Sequence, residues 1–278
     1  MSAKVHEKIV ETYDDSRSVS TWSLGETSFG LAIVMVLYVI TVLKILPHYM
    51  KNRNPYKLTR LLTYYNAFQV AFSAYAVFLY TRYIFNHGII TTRCPKGDEL
   101  KGVIREIWPY FIAKHIDLLD TVFFVLRKKE NQVTFLHILH HNLMVAWTWF
   151  HLMYHPTDHF VVVGLINSFV HVLMYAYYGL SSLGPEYAKF TWWKKHLTKI
   201  QLIQFILVLL NLHYQQKMSP CPIPSFFHYF CLSSISSFFF LFINFYIKSY
   251  ESRSKKNTNT GNDVLGGIGC NFATEKED

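Results

Sequence analysis

Between Lys114 and His141 a mostly apolar run carries Lys114, Asp117, Asp120, His137, His140 and His141. The first three follow one another at intervals of three, so on a helix an ammonium and two carboxylates can meet side to side. His137, His140 and His141 stand at i, i+3 and i+4, which puts three imidazoles on one helical face. Near neutral pH an imidazole can bind a metal, carry a proton or attack an electrophile. Helical spacing recurs downstream in Asn167, His171, Tyr175 and Tyr178, and again in Thr198, Gln201 and Gln204. Any one such stripe is accounted for by hydrogen bonding between helices. Several in succession point to a polar-lined chamber.

The elements that must position these side chains are set by composition. The chain has 278 residues, 51% hydrophobic and 17% aromatic, with only 16% charged, against about 25% in a soluble domain. Apolar runs at Phe29–Leu46, Leu62–Ile84, Trp108–Leu126, Thr134–Tyr154, Phe160–Leu183, His196–Leu212 and Phe226–Tyr250 approach the roughly 20 residues that cross a bilayer. Helices or closed barrels alone satisfy the backbone in lipid. The reading is an all-α polytopic membrane protein with about seven transmembrane helices. A charge at the centre of a span costs roughly 2.5–3.5 kcal/mol on insertion scales and usually faces a cavity. A structural ion pair near a membrane surface is the alternative for Lys114, Asp117 and Asp120.

Basic residues orient the spans. Lys51, Arg53, Lys57 and Arg60, then Arg127, Lys128 and Lys129, then Lys189, Lys194 and Lys195 fall after the odd-numbered spans. Arg93, Lys96, Lys101 and Arg105 run against the trend. The balance puts these odd-numbered loops and the C-terminus in the cytosol. Residues 1–27 are then a polar lumenal segment, 28–250 a transmembrane catalytic domain, and 251–278 a disordered cytosolic tail. The first span is expected to remain as an anchor. The net charge of +9 reads as topology and as affinity for phosphate or anionic lipid, not for nucleic acid. Cys94 and Cys221 both fall in non-cytosolic loops, and a disulfide between them is expected in an oxidising lumen; two free thiols are the alternative. Cys231 lies in the last span and Cys270 in the tail.

Three functions compete at this point. A histidine-box di-iron oxygenase or desaturase would use H-x-x-H-H, but it needs further histidine boxes and in-span carboxylates. A seven-helix lipid receptor or transporter suits the topology but leaves the three histidines unexplained. The third rests on four motifs: Lys114-His-Ile-Asp117-Leu-Leu-Asp120-Thr121, Gln132-Val-Thr-Phe-Leu-His137-Ile-Leu-His140-His141, Asn167-Ser-Phe-Val-His171-Val-Leu-Met174-Tyr175-Ala-Tyr177-Tyr178 and Thr198-Lys-Ile-Gln201-Leu-Ile-Gln204-Phe205. In content and order they resemble those of the ELO-type very-long-chain fatty acid elongases. Asp117 stands where that family more often has Glu, and Leu139 where an aromatic is frequent.

The resemblance implies an endoplasmic-reticulum condensing enzyme, with helices enclosing a substrate tunnel. It would join long-chain acyl-CoA and malonyl-CoA to a 3-ketoacyl-CoA, releasing CO2 and CoA. No cysteine sits among the polar stripes, so His140 is the expected acyl carrier, with His137 and His141 tuning its tautomer or moving protons. Asn167 and His171 are the expected donors to the enolate. Lys114, Asp117, Asp120, Tyr175, Tyr178, Gln201 and Gln204 support the chamber. Lys194, Lys195, Thr198 and Arg127 are expected to hold the CoA phosphates; for Arg127 a purely topological role is the alternative. Gln132 resembles the subgroup that handles longer or polyunsaturated chains. No cofactor or metal is expected. Expected partners are membrane lipid, the two CoA substrates and the reductases and dehydratase of the elongation cycle, and a homodimer is compatible with this reading.

Overall fold

The computed structural model describes residues 28–90, 92–184, 186–187, 193–221 and 223–248. The expectations for segments 1–27 and 251–278, for Lys189 and for Cys270 lie outside the described residues.

Among the described residues every regular element is helical. The first helix, α1, spans Ser28–Met50, with a widened π turn at Thr41–Ile45. Pro47 sits just beyond that turn; it has no N–H to donate and its ring crowds the carbonyl four residues back, which a wider turn relieves. There follow α2 (Thr59–His87), α3 (Asp98–Ile116), α4 (Leu119–Leu126), α5 (Phe135–Tyr154), α6 (Val161–Ser182), α7 (Lys194–Met218) and α8 (Ser225–Tyr246). Four segments are long and apolar enough to cross a bilayer by length and composition: Ser28–Met50, Asp158–Ser182, Lys194–Met218 and Ser225–Tyr246. The other three expected spans correspond to α2, to α3 with α4, and to α5, whose inward polar residues dilute their hydropathy. The outer surface is apolar, with Phe29, Tyr64, Phe78, Phe85, Phe226 and Phe240 all exposed, as lipid contact requires.

The expected single span Trp108–Leu126 is two helices. At the junction Leu118 N–H donates to the His115 carbonyl at 3.3 Å and Asp120 N–H to that of Asp117 at 3.2 Å. These bonds skip three residues instead of four, tightening the backbone locally. The tightened turn falls at Asp117, the carboxylate on which the interior polar contacts converge.

The most extensive helix–helix interface joins α2 and α6. Two small residues of α6 permit this approach. A Cβ on Gly164 would lie 2.7 Å from Tyr80 Cε2, and one on Gly179 would lie 3.4 Å from Asn66 Cβ. Two apolar clusters flank the interior. Ile104, Ile107, Phe111, Val145, Trp149 and Leu152 fill the space between α3 and α5, while Val163, Phe205, Val208, Leu212, Phe227 and Cys231 knit α6, α7 and α8. One end of the bundle is fastened by a Cys94–Cys221 disulfide, with Cα atoms 5.7 Å apart. Beside it Gln215 Nε2 donates to the Ile89 carbonyl at 2.7 Å, and Gln216 brackets Ile223 through both its N–H and its carbonyl. The opposite end carries Arg127 and Lys194.

Candidate active site

Asp117 is the hub of the interior. Lys114 Nζ lies 3.1 Å from Asp117 Oδ2, and both side chains are only 3% exposed. Gln69 Nε2 of α2 donates to Asp117 Oδ1 at 2.8 Å, and Tyr175 OH of α6 to the same oxygen at 2.9 Å. Tyr175 OH is also 2.9 Å from Asp120 Oδ2, so its one hydrogen is shared between two carboxylates. His171 Nδ1 approaches Asp117 Oδ2 to 3.8 Å, and Lys114 Nζ rests 4.7 Å from the centre of the Tyr110 ring. The carboxylate thus gathers groups from α2, α3 and α6. A buried charge satisfied on several sides fixes the register of the helices that supply its partners.

The three histidines of α5 stand in a row. The Thr134 hydroxyl accepts from the His137 N–H at 3.2 Å and so starts the helix just before them. His137 and His141 ring centres are 4.3 Å apart, and those of His140 and His141 are 5.6 Å apart at a near-perpendicular 88°. His137 Nε2 lies 3.0 Å from Thr121 Oγ1, which in turn lies 2.6 Å from Tyr38 OH of α1. His140 turns the other way, its ring centre 5.1 Å from that of Phe238 on α8.

His140 therefore reaches a cavity with about 580 Å³ of empty space, lined also by Tyr110, Trp147, Val163, Asn167, Gln204 and Phe238. Its walls are largely apolar, and its few polar groups converge from α3, α5, α6, α7 and, through Ser234, α8. Tyr110 OH donates to Asn167 Oδ1 at 2.7 Å, which leaves the amide N–H groups of Asn167 as the end able to donate into the cavity. A second cavity, with about 410 Å³ of empty space, shares Tyr110, Trp147 and Val163 with the first and continues past Thr148 and Gly164 to His151 and Phe160. From His140 to His151 the path follows α5 for roughly 16 Å, at the helical rise of ~1.5 Å per residue, toward the disulfide end.

Of the residues singled out from sequence, His140, Asn167 and Gln204 line the main cavity. Gln204 Oε1 is buried without a hydrogen-bond partner among the described residues. His137, His141, His171, Lys114, Asp117, Asp120 and Tyr175 form the polar network behind it. Gln201 Nε2 lies 4.0 Å from Met174 Sδ. Tyr178 is 41% exposed, with its ring centre 6.3 Å from that of Tyr175 in an edge-on contact. Thr198 is buried with its hydroxyl 3.4 Å from the Lys194 carbonyl; Lys194 and Lys195 are exposed at the first turn of α7, and Arg127 is half-buried at the end of α4. The periodicity did not single out Tyr110, Gln69 or Tyr38, and the motif containing Thr121 gave that residue no role. Gln69 was visible as a polar residue in an apolar run, three positions after Asn66. Among the described residues no group of three or more His, Cys, Asp or Glu side chains is placed to hold a metal ion.

A helical bundle with an apolar exterior and its polar groups gathered about an apolar-walled cavity defines a multi-pass membrane protein with an internal site. Residues 23–258 match the model of the ELO family, described as GNS1/SUR4. The chain is 37% identical over 263 residues to very long chain fatty acid elongase 7 of Rattus norvegicus, covering 90% of this chain and 91% of that one. It is 40% identical over 226 residues to very long chain fatty acid elongase 1 of Homo sapiens, covering 78% and 80%, and 33% identical over 270 residues to human elongase 4, covering 94% and 83%. The chain belongs to the ELO family.

Proposed function

We propose that this protein is the condensing enzyme of fatty acid elongation, a 3-oxoacyl-CoA synthase that joins long-chain acyl-CoA to malonyl-CoA. The observation that carries the reading is the convergence of His140 and Asn167 on one apolar-walled cavity, with a second cavity continuing it along α5. Membership of a family whose relatives are named very long chain fatty acid elongases supports it.

In the first step an imidazole nitrogen of His140 attacks the thioester carbonyl. The C–S bond breaks, CoA departs with a proton, and an acyl-imidazole remains. Malonyl-CoA then loses CO2, and the electrons of the broken C–C bond become an enolate at C2. That carbon attacks the acyl carbonyl, the C–N bond breaks, and His140 is restored as the 3-ketoacyl-CoA leaves. The reaction consumes one proton overall, which ends on the released thiol. The Asn167 amide, oriented by Tyr110, is a preorganised donor to the enolate oxygen; His171, beside Asp117, is the second candidate donor. The apolar walls favour loss of a carboxylate charge as neutral CO2. No cofactor enters this sequence of steps.

The acyl tail occupies the path toward His151, and the CoA head lies at the Lys194 end. From Gln204 to Lys194 is roughly 15 Å along α7 at the same helical rise. Lys194 and Lys195 there, with the N-terminus of α7, suit the pyrophosphate and 3′-phosphate, and Arg127 at the end of α4 is the further candidate. The basic loops support a cytosolic location for that end and for the C-terminus, and the likeness to elongases supports residence in the endoplasmic reticulum. There the reductases and dehydratase of the cycle would take the product onward. Radiolabelled malonyl-CoA supplied with a saturated acyl-CoA to membranes holding this protein is expected to enter longer acyl chains. His140→Ala is expected to abolish incorporation at equal protein level; unchanged incorporation would remove His140 from the mechanism.

A further inference from the structure

The hydroxyl chain from α1 to His137 belongs to none of the steps above. Tyr38 OH, Thr121 Oγ1 and His137 Nε2 are linked at 2.6 and 3.0 Å. Tyr38 is 8% exposed and Thr121 fully buried. Neither hydroxyl has another hydrogen-bond partner among the described residues. Each hydroxyl has one hydrogen to give, so the chain can run in two directions. If His137 donated to Thr121 and Thr121 to Tyr38, the buried Tyr38 O–H would be left with no acceptor, an unfavourable arrangement for a desolvated donor. Run the other way, both hydroxyl hydrogens are used: Tyr38 donates to Thr121, and Thr121 donates to Nε2 of His137, while Nδ1 of His137 is not among the buried polar atoms left without a partner.

We infer that Tyr38 and Thr121 are positioning residues that hold His137 as the tautomer protonated on Nδ1, with Nε2 as acceptor. A ring nitrogen's state is set by the bond its partner nitrogen makes, so this chain fixes both the proton and the ring orientation of the first histidine in the row. It also makes α1 part of the site, because Tyr38 is the only residue of that helix in the chain. The catalytic consequence rests on the proposed elongase reading; the tautomer does not.

The test uses the full-length protein in lipid, labelled with 15N-histidine, with the His137 resonances assigned by their loss in His137→Gln. The expected result is a protonated Nδ1 and an unprotonated Nε2 in the wild type, and loss of that preference in Thr121→Val. In elongation assays Thr121→Val is expected to lower kcat roughly 2- to 13-fold, the range for one net hydrogen bond, with KM for acyl-CoA unchanged. Thr121→Ser keeps the hydroxyl and is expected to restore both readouts. A protonated Nε2 in the wild type, or a Thr121→Ser variant as impaired as Thr121→Val, would overturn the inference. The spectrum needs no turnover, so its failure counts against this chain alone. Absence of elongation by the wild type would count against the proposed function and leave the spectrum standing.

Discussion

Lys114→Met removes the ammonium from the Asp117 hub while nearly preserving side-chain volume. The carboxylate then keeps Gln69 at 2.8 Å and Tyr175 at 2.9 Å but loses the one ammonium or guanidinium paired with it among the described residues, in a position where both partners are 3% exposed. Breaking a buried pair from one side costs about 3–5 kcal/mol, against 0.2–1 for an exposed pair. At roughly 2–4 °C per kcal/mol for a chain approaching this size, the melting temperature is expected to fall by about 6–20 °C. Adding Asp117→Asn removes the stranded charge, while the amide oxygen can still accept from Gln69 and Tyr175. The double variant is therefore expected to regain at least half of the loss. Thermal unfolding of the purified protein in one detergent, followed by size-exclusion monodispersity, reads both values. A Lys114→Met variant within about 2 °C of wild type, or a double variant no better than the single, would show that the pair does not hold the interior together.

Two further outcomes follow from the cavity walls. Tyr110→Phe deletes the hydroxyl that aims Asn167, and kcat is expected to drop roughly 2- to 13-fold with little change in KM; an unchanged kcat would show that Asn167 is oriented by other means. Gly164→Ala places a methyl 2.7 Å from the Tyr80 ring, at a cost of about 1–3 kcal/mol for overpacking. Because both residues line the second cavity, the product profile against a ladder of acyl-CoA lengths is expected to shift toward shorter chains, and an unaltered profile would place the tail elsewhere.

Helical spacing made much of this interior legible. It paired Lys114 with Asp117 and aligned His137, His140 and His141, because contacts at i+3 and i+4 lie within one element. It could not show that Tyr175 and Gln69 meet Asp117, since both arrive from other helices and the pairing depends on how α2 packs against α6. Tyr110 reads as one more aromatic in an apolar run until its hydroxyl is seen on Asn167. The break after α3 was hidden because neither Asp117 nor Leu118 is a helix breaker of the Gly or Pro kind.

His140 is the proposed carrier of the acyl group. Incubating the purified protein with a long-chain acyl-CoA alone, without malonyl-CoA, and measuring intact mass followed by peptide mapping tests it directly. The expected result is one acyl unit added per chain, located on His140, lost in His140→Ala and discharged when malonyl-CoA is supplied. An unmodified protein that condenses the two substrates at full rate would contradict it.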